Sequence, residues 1–172
     1  MFRRDPNLDE RLLVLARTRG HSPGAERAVA SFSRLGEHAA LWVAIGCVGG
    51  ALDGAQRREW RRARRVVIGS YAINTAIKFT VRRARPELPG LPPLQSTTTR
   101  LSFPSAHAAT SFAGALAYRR LGVPGAPLYA LASAMALSRL YLGVHYPSDV
   151  LAGALLGSAI AAAASAPARA QA

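Results

Sequence analysis

The sequence is poor in several things, and each shortage narrows its class. It has one cysteine among 172 residues, Cys47, lying in an apolar run. One cysteine cannot make an intramolecular disulfide, so cysteine usage leaves the redox compartment open. It has one lysine, Lys78; the other 21 of its 22 basic residues are arginine. Together with abundant alanine, that imbalance reads as a compositional bias, and it makes the retained lysine conspicuous. Acidic residues number only nine, leaving a formal net charge of +13. Such basicity suits either nucleic acid or an anionic membrane surface. No compact basic recognition helix and no zinc-finger spacing is present, which argues against nucleic acid. The arginines gather between apolar segments, as in "RREWRRARR" at 57–65. No carboxylate cluster suggests a metal site. The opening "MFRRDPNLDERLLVLARTRG" is broken by acids and arginines and does not read as a signal peptide. No internal repeat or second domain is visible, so residues 1–172 are expected to form one domain.

Five apolar segments follow, at 37–54, 66–81, 101–118, 124–142 and 150–167. Each is near the lower limit of the about 17–25 residues that cross a bilayer. A soluble bundle would keep a polar face on each helix, and "DVLAGALLGSAIAAAASA" keeps almost none. Its small residues suit close helix approach in lipid. The expected fold is therefore all-α, a polytopic membrane bundle of about five transmembrane helices at 37–167. Residues 1–36 form an interfacial region with an amphipathic helix at 6–20, where Leu8, Leu12, Leu13 and Leu15 alternate with Asp9, Arg11 and Arg17. The competing reading is an alanine-rich soluble helical protein, because mean hydropathy is only +0.12. Ser22 and Pro23 suit the cap and first turn of a helix that starts polar at Glu26 and Arg27 and turns apolar after His38. The stretch "PELPGLPPLQSTTTR" (86–100), with four prolines, is a loop.

With five crossings, the N-terminus, the 82–100 loop and the 143–149 turn share one side. The 55–65 loop, the Arg119-Arg120 turn and the C-terminus share the other. The 55–65 cluster favours a cytoplasmic position for that second side. Seven arginines before residue 35 pull the other way, so the side of the membrane stays open.

Three clusters carry polar groups to the first side. In "KFTVRRARP", Lys78, Arg82 and Arg85 share a face if a helix runs through them. Lys78 lies inside an apolar run, where a charge is costly. Arg82 and Arg83 read equally well as cations snorkelling to headgroups. In "FPSAHAATS", Ser105 after Pro104 suits an N-cap, leaving the backbone N–H groups of residues 106–108 at a helix start that favours phosphate. Alone, this would be a capped helix with a surface histidine. In "SRLYLGVHYPSDV", Pro147 suits a helix start, with His145 just ahead of it and Asp149 in its first turn. A carboxylate there can accept from one imidazole nitrogen and free the other.

Taken together, these read K-x6-RP at Lys78 and Arg85, PS-x-H at Ser105 and His107, and SR-x5-H-x3-D at Arg139, His145 and Asp149. The ordered set resembles the type 2 phosphatidic acid phosphatase superfamily. It departs from the family at Ala106, usually glycine, whose small side chain still lets phosphate reach the backbone. The motifs span 78–149, and residues 1–77 match only as membrane scaffold. The resemblance implies metal-independent phosphatase chemistry on a membrane lipid phosphate, with no cofactor. His145 is the implied nucleophile, forming a phosphohistidine. Asp149 orients it, and His107 is the general acid and base. Lys78, Arg85, Ser105, Ala106, His107 and Arg139 are the implied phosphate-binding residues. A multi-pass plasma-membrane location follows, with the bilayer as partner and room for an oligomer. Candidate substrates are phosphatidic acid, phosphatidylglycerol phosphate, polyprenyl pyrophosphate and a phosphorylated polyprenyl sugar. The short Ala- and Arg-rich form is similar to small actinobacterial members that act on decaprenylphosphoryl-5-phosphoribose, which ranks first. A haloperoxidase or a membrane transport or scaffold protein is the contrasting class; the intact histidine pair argues against the latter.

Overall fold

The computed structural model describes residues 7–164, and among these the chain is all-α. Seven helices form: α1 (Leu8–Thr18), α2 (Pro23–Arg34), α3 (Ala40–Leu52), α4 (Arg57–Val81), α5 (Ala106–Arg119), α6 (Gly125–Tyr141) and α7 (Pro147–Ala163). A short 3-10 turn, Glu37–Ala39, joins α2 to α3. The amphipathic segment at 6–20 becomes α1, and the apolar segment at 150–167 becomes most of α7; residue 6 and residues 165–167 lie outside the described residues.

The helix starts follow local chemistry. Asn7 Oδ1 accepts from Glu10 N at 2.9 Å while Glu10 Oε2 accepts from Asn7 N at 3.1 Å, a reciprocal capping box. Ser22 Oγ accepts from Ala25 N at 3.2 Å with Pro23 in the first turn, as its sequence implies. Pro147 opens α7.

Three expectations need correction. The arginine cluster at 57–65 is not a loop but the first third of α4. No Gly or Pro interrupts it, arginine is a good helix former, and Trp60, Ala63, Val67, Ser70, Asn74 and Lys78 make a continuous buried stripe. Reading polarity as loop overlooked that stripe. The helix begun at Pro23 does not run on past His38. It breaks after Arg34, and His38 and Ala39 adopt φ of 51° and 64°, a left-handed conformation that non-glycine residues rarely take. And α4 stops at Val81, with Arg82 at φ 54°, so Lys78, Arg82 and Arg85 do not share a helical face. Arg82 is exposed, and Arg85 enters from the following loop. That loop is held by backbone pairing of 83–85 with 100–102: Arg85 N to Arg100 O at 3.1 Å, and Ser102 N to Arg83 O at 2.8 Å.

α5 runs through the centre, with nine of its fourteen residues buried. It packs against α4, α6 and, most closely, α7. Gly153 and Gly157 make that approach possible: a Cβ on Gly157 would strike the Ala109 carbonyl, and one on Gly153 the Ser105 carbonyl. At one end of the bundle Trp42, Trp60 and Tyr118 cluster, with Trp42 Nε1 donating to Ser111 Oγ at 2.7 Å and Tyr118 Oη to the Trp42 carbonyl at 2.6 Å. At the opposite end the C-termini of α4 and α6 meet the N-termini of α5 and α7. Among the described residues no single helix is long and apolar enough to cross a membrane; α2 and the 37–52 segment meet the criterion only as a pair bent by 52°.

Candidate active site

Lys78, Arg85, Ala106, His107, Arg139 and His145 line one pocket at that second end of the bundle. The turn at Gly36–His38, Tyr71, Phe79 and residues 96–99 also line it. Ser105 and Asp149 are fully buried and tied together, Ser105 N donating to the Asp149 carbonyl at 3.0 Å. Motif residues separated by up to 71 positions in sequence, from Lys78 to Asp149, thus converge at one end of the bundle.

His145 sits in the short connection between α6 and α7, just ahead of Pro147, and is buried. Its Nε2 lies 3.3 Å from Arg85 Nη1. A guanidinium can only donate, so Nε2 is the acceptor and the ring proton is on Nδ1. Nδ1 faces Asp149 Oδ2 at 3.5 Å. That is a close approach rather than a formed hydrogen bond. The carboxylate is instead gripped by other donors: Arg83 Nη1 to Oδ1 at 2.9 Å, and Tyr146 N to Oδ2 at 2.8 Å. Burial pushes the His145 imidazole well below its ordinary pKa, and Arg85, Arg139 and Lys78 push it the same way. The ring is therefore neutral at pH 7, with its Nε2 unprotonated and facing Arg85.

The cations are held in different ways. Arg85 Nε donates to Thr99 O at 2.8 Å and Nη1 to Val144 O at 2.6 Å. Burial lowers its pKa to about 10, with Asp149 partly opposing, so it stays charged. Arg139 Nη1 donates to Ser33 Oγ at 2.5 Å and Gln95 Oε1 at 3.1 Å. Lys78 directs its ammonium at three backbone carbonyls, of Leu101, Ser102 and Pro104, at 3.2, 3.0 and 3.1 Å. Those bonds fix the chain leading into α5, so Lys78 offers the pocket its charge more than a free donor.

Ser105 occupies the N-cap position of α5, but its hydroxyl makes no cap bond and has no partner. The N–H groups of residues 106–108 stand at the helix start without intrahelical acceptors. His107 Nε2 donates to the Ser33 carbonyl at 3.0 Å, leaving Nδ1 as the nitrogen that can take up and give a proton. Gly36 permits this closeness: a Cβ there would crowd the His107 ring and Met135 Sδ.

Sequence reasoning passed over several residues that the fold brings here. Ser33 contacts both His107 and Arg139. Gln95 bridges Arg139 and Glu37, its Nε2 donating to Glu37 Oε1 at 3.1 Å. Arg83, read equally as a headgroup cation, is an ion-pair partner of Asp149 and of Asp9. None of these belongs to a recognisable motif. The one available signal was the break at Gly36, where a helix end is needed to bring Ser33 over the pocket.

The model of the "PAP2 superfamily" matches residues 65–169. A protein of Mycolicibacterium smegmatis named decaprenylphosphoryl-5-phosphoribose phosphatase is 43% identical over 132 residues, covering 76% of this chain and 72% of its own. A protein of the same name from Mycobacterium tuberculosis is 41% identical, covering 81% and 78%. The crystal structure of Aquifex aeolicus LpxE superposes with a TM-score of 0.79 at 22% identity, covering 95% of this chain and 98% of that one. By sequence, by fold and by the convergence of its motifs in one pocket, the chain belongs to the PAP2 superfamily and is a phosphatase of that family.

Proposed function

We propose that this chain is a multi-pass plasma-membrane enzyme that removes phosphate from a membrane lipid through a phosphohistidine on His145. The observation that carries the reading is the unprotonated Nε2 of His145 in a pocket whose other walls are Arg85, Arg139 and the start of α5. Nε2 of His145 attacks phosphorus, and the lipid oxygen leaves with a proton from Nδ1 of His107, which enters this step as the imidazolium and leaves it neutral. A water then gives its proton to His107 and attacks the phosphohistidine, releasing inorganic phosphate and restoring Nε2. Arg85 and Arg139 neutralise the phosphoryl oxygens, the Ser105 hydroxyl and the first N–H groups of α5 donate to them, and Lys78 adds charge. Asp149 stabilises the Nδ1 proton as the ring turns cationic. Three cations supply the charge balance a divalent metal would otherwise give, and they would repel such a metal.

The lipid setting is supported by the five helices α3–α7, proposed as short crossings, and by exposed apolar side chains on the pocket side. Phe79 lines the pocket and is 57% exposed, with Val81 exposed beside it, a path for the substrate's tail. On α1, Leu8, Leu12 and Leu15 are exposed together, suiting a position in the membrane interface. The foremost substrate is decaprenylphosphoryl-5-phosphoribose, supported by the names of relatives 41–43% identical to this chain. Phosphatidylglycerol phosphate, phosphatidic acid and polyprenyl pyrophosphate are the other members of the class. Purified enzyme incubated with this panel in EDTA is expected to release phosphate fastest from the prenyl sugar phosphate. Faster release from phosphatidylglycerol phosphate would reassign the substrate, and release only after magnesium addition would contradict the metal-independent mechanism.

A further inference from the structure

We propose that α1 is a clamp that positions the nucleophile, acting through Asp9, Arg17 and Arg83 on the α6–α7 connection. The inference rests on reading His145 as the nucleophile and adds residues outside every recognised motif. Asp9, Leu13 and Arg17 lie at i, i+4 and i+8 and form the docked face of α1, with Leu13 fully buried and Arg17 only 6% exposed. The sequence has Asp9 and Arg17 alternating with the leucines of an interfacial helix; the fold turns both toward the α6–α7 connection.

Asp9 holds the far end of the connection. Its Oδ1 accepts from Ser148 N at 2.9 Å, and its Oδ2 accepts from the Ser148 hydroxyl and from Arg83 Nη2 at 2.9 Å. A carboxylate at the first turn of α7 also suits the positive end of that helix. Arg83 passes the constraint on. Its Nη1 donates to Asp149 Oδ1 at 2.9 Å and to Ser148 Oγ at 2.7 Å, and its guanidinium lies 4.1 Å over the Tyr146 ring. Asp149 in turn faces His145 Nδ1. Arg17 holds the near end, with Nη1 donating to Tyr141 O at 3.2 Å and Nη2 to Pro92 O at 2.8 Å. It packs against Gly143, at φ 71°, where any Cβ would press on the Arg17 side chain. Just beyond α1, His21 stacks on Tyr141 at 3.9 Å and the Tyr141 hydroxyl donates to Gly20 O at 3.1 Å.

Residues 141 and 148 are thus fastened to the same helix, and His145 lies between them. Asp9, Arg17 and Arg83 do not line the pocket. They are positioning residues: they set where Nε2 points without touching substrate.

The test uses the full chain with Asp9→Asn, Arg17→Met, Arg83→Gln and Arg83→Lys. Phosphate release is measured on a lipid phosphate that the wild type hydrolyses. Rates are counted per site that binds tungstate, an oxyanion reporting the cation pocket, so misfolded molecules drop out. Misaiming the nucleophile is expected to lower kcat about tenfold to a hundredfold. KM and the tungstate inhibition constant should stay within about twofold. Asp9→Asn combined with Arg83→Gln should fall little further than the worse single variant, since both break one chain of contacts. Arg83→Lys should recover part of the loss. Unchanged kcat per tungstate site in Asp9→Asn, Arg17→Met and Arg83→Gln would overturn the clamp while leaving the phosphatase reading intact. A wild type indistinguishable from His145→Ala would remove the reading and the clamp together.

Discussion

A neutral histidine buried among three cations carries a cost that appears only in acid. Below the ordinary histidine pKa of 6.5, the unfolded chain gains a proton at His145 that the folded chain refuses, because burial and its cationic neighbours hold the folded pKa lower. The unfolded state then binds more protons, so stability rises with pH in this window. Acidifying from about pH 7 towards 5 removes that contribution, and above about pH 7 it is constant. His145→Gln is therefore expected to show a shallower fall in Tm between these pH values than wild type. Equal slopes would mean that the ring is protonated in the fold. At this scale the sequence was eloquent where a motif fixed a residue's partners. Every residue of the three motifs came together at one end of the bundle, with Ser105 and Asp149 just behind the pocket wall. It was silent where the partner lies in another element, as with Ser33 under His107 and Asp9 beside Arg83.

Among the elements, the contact of α5 with α7 decides the geometry. The phosphate-facing start of α5 and the Asp149-bearing start of α7 lie side by side because Gly153 and Gly157 let two backbones touch. Gly157→Leu has to push α7 away from Ala109, which should cost about 1–3 kcal/mol. The shift also displaces the Ser105–Asp149 link, so activity per folded molecule should fall with it. Thermal melting beside tungstate-normalised rates reads both, and a variant as stable and active as wild type would contradict the packing argument. Helix existence was legible from apolar runs and from the caps at Ser22 and Pro147. The limits of α4 were not, because its first turns are solvated arginines whose helical register shows only through Trp60, Ala63 and Val67. The kink at His38 was equally hidden: nothing local demands a left-handed residue there.

For the whole molecule, the alternation of helix directions gathers four termini, both histidines and the cations at one end, and leaves the aromatic cluster and most of the α4 arginines at the other. An all-α bundle followed from the apolar pattern. How it sits in a bilayer did not, because helices of 13–17 residues such as α3, α6 and α7 are shorter than the about 20 residues that span an average hydrocarbon core. Proposed crossings of that length ask for a thinned bilayer or flanking cations that snorkel. That this end of the bundle is one site built around a nucleophilic histidine can be tested by a single trapping measurement. Enzyme is mixed in EDTA with lipid carrying labelled phosphate, quenched in alkali and digested. Label is expected on the peptide containing His145 in wild type, more label in His107→Ala because hydrolysis of the intermediate is slowed, and none in His145→Ala. Label on another residue, or full phosphate release by His145→Ala, would contradict it.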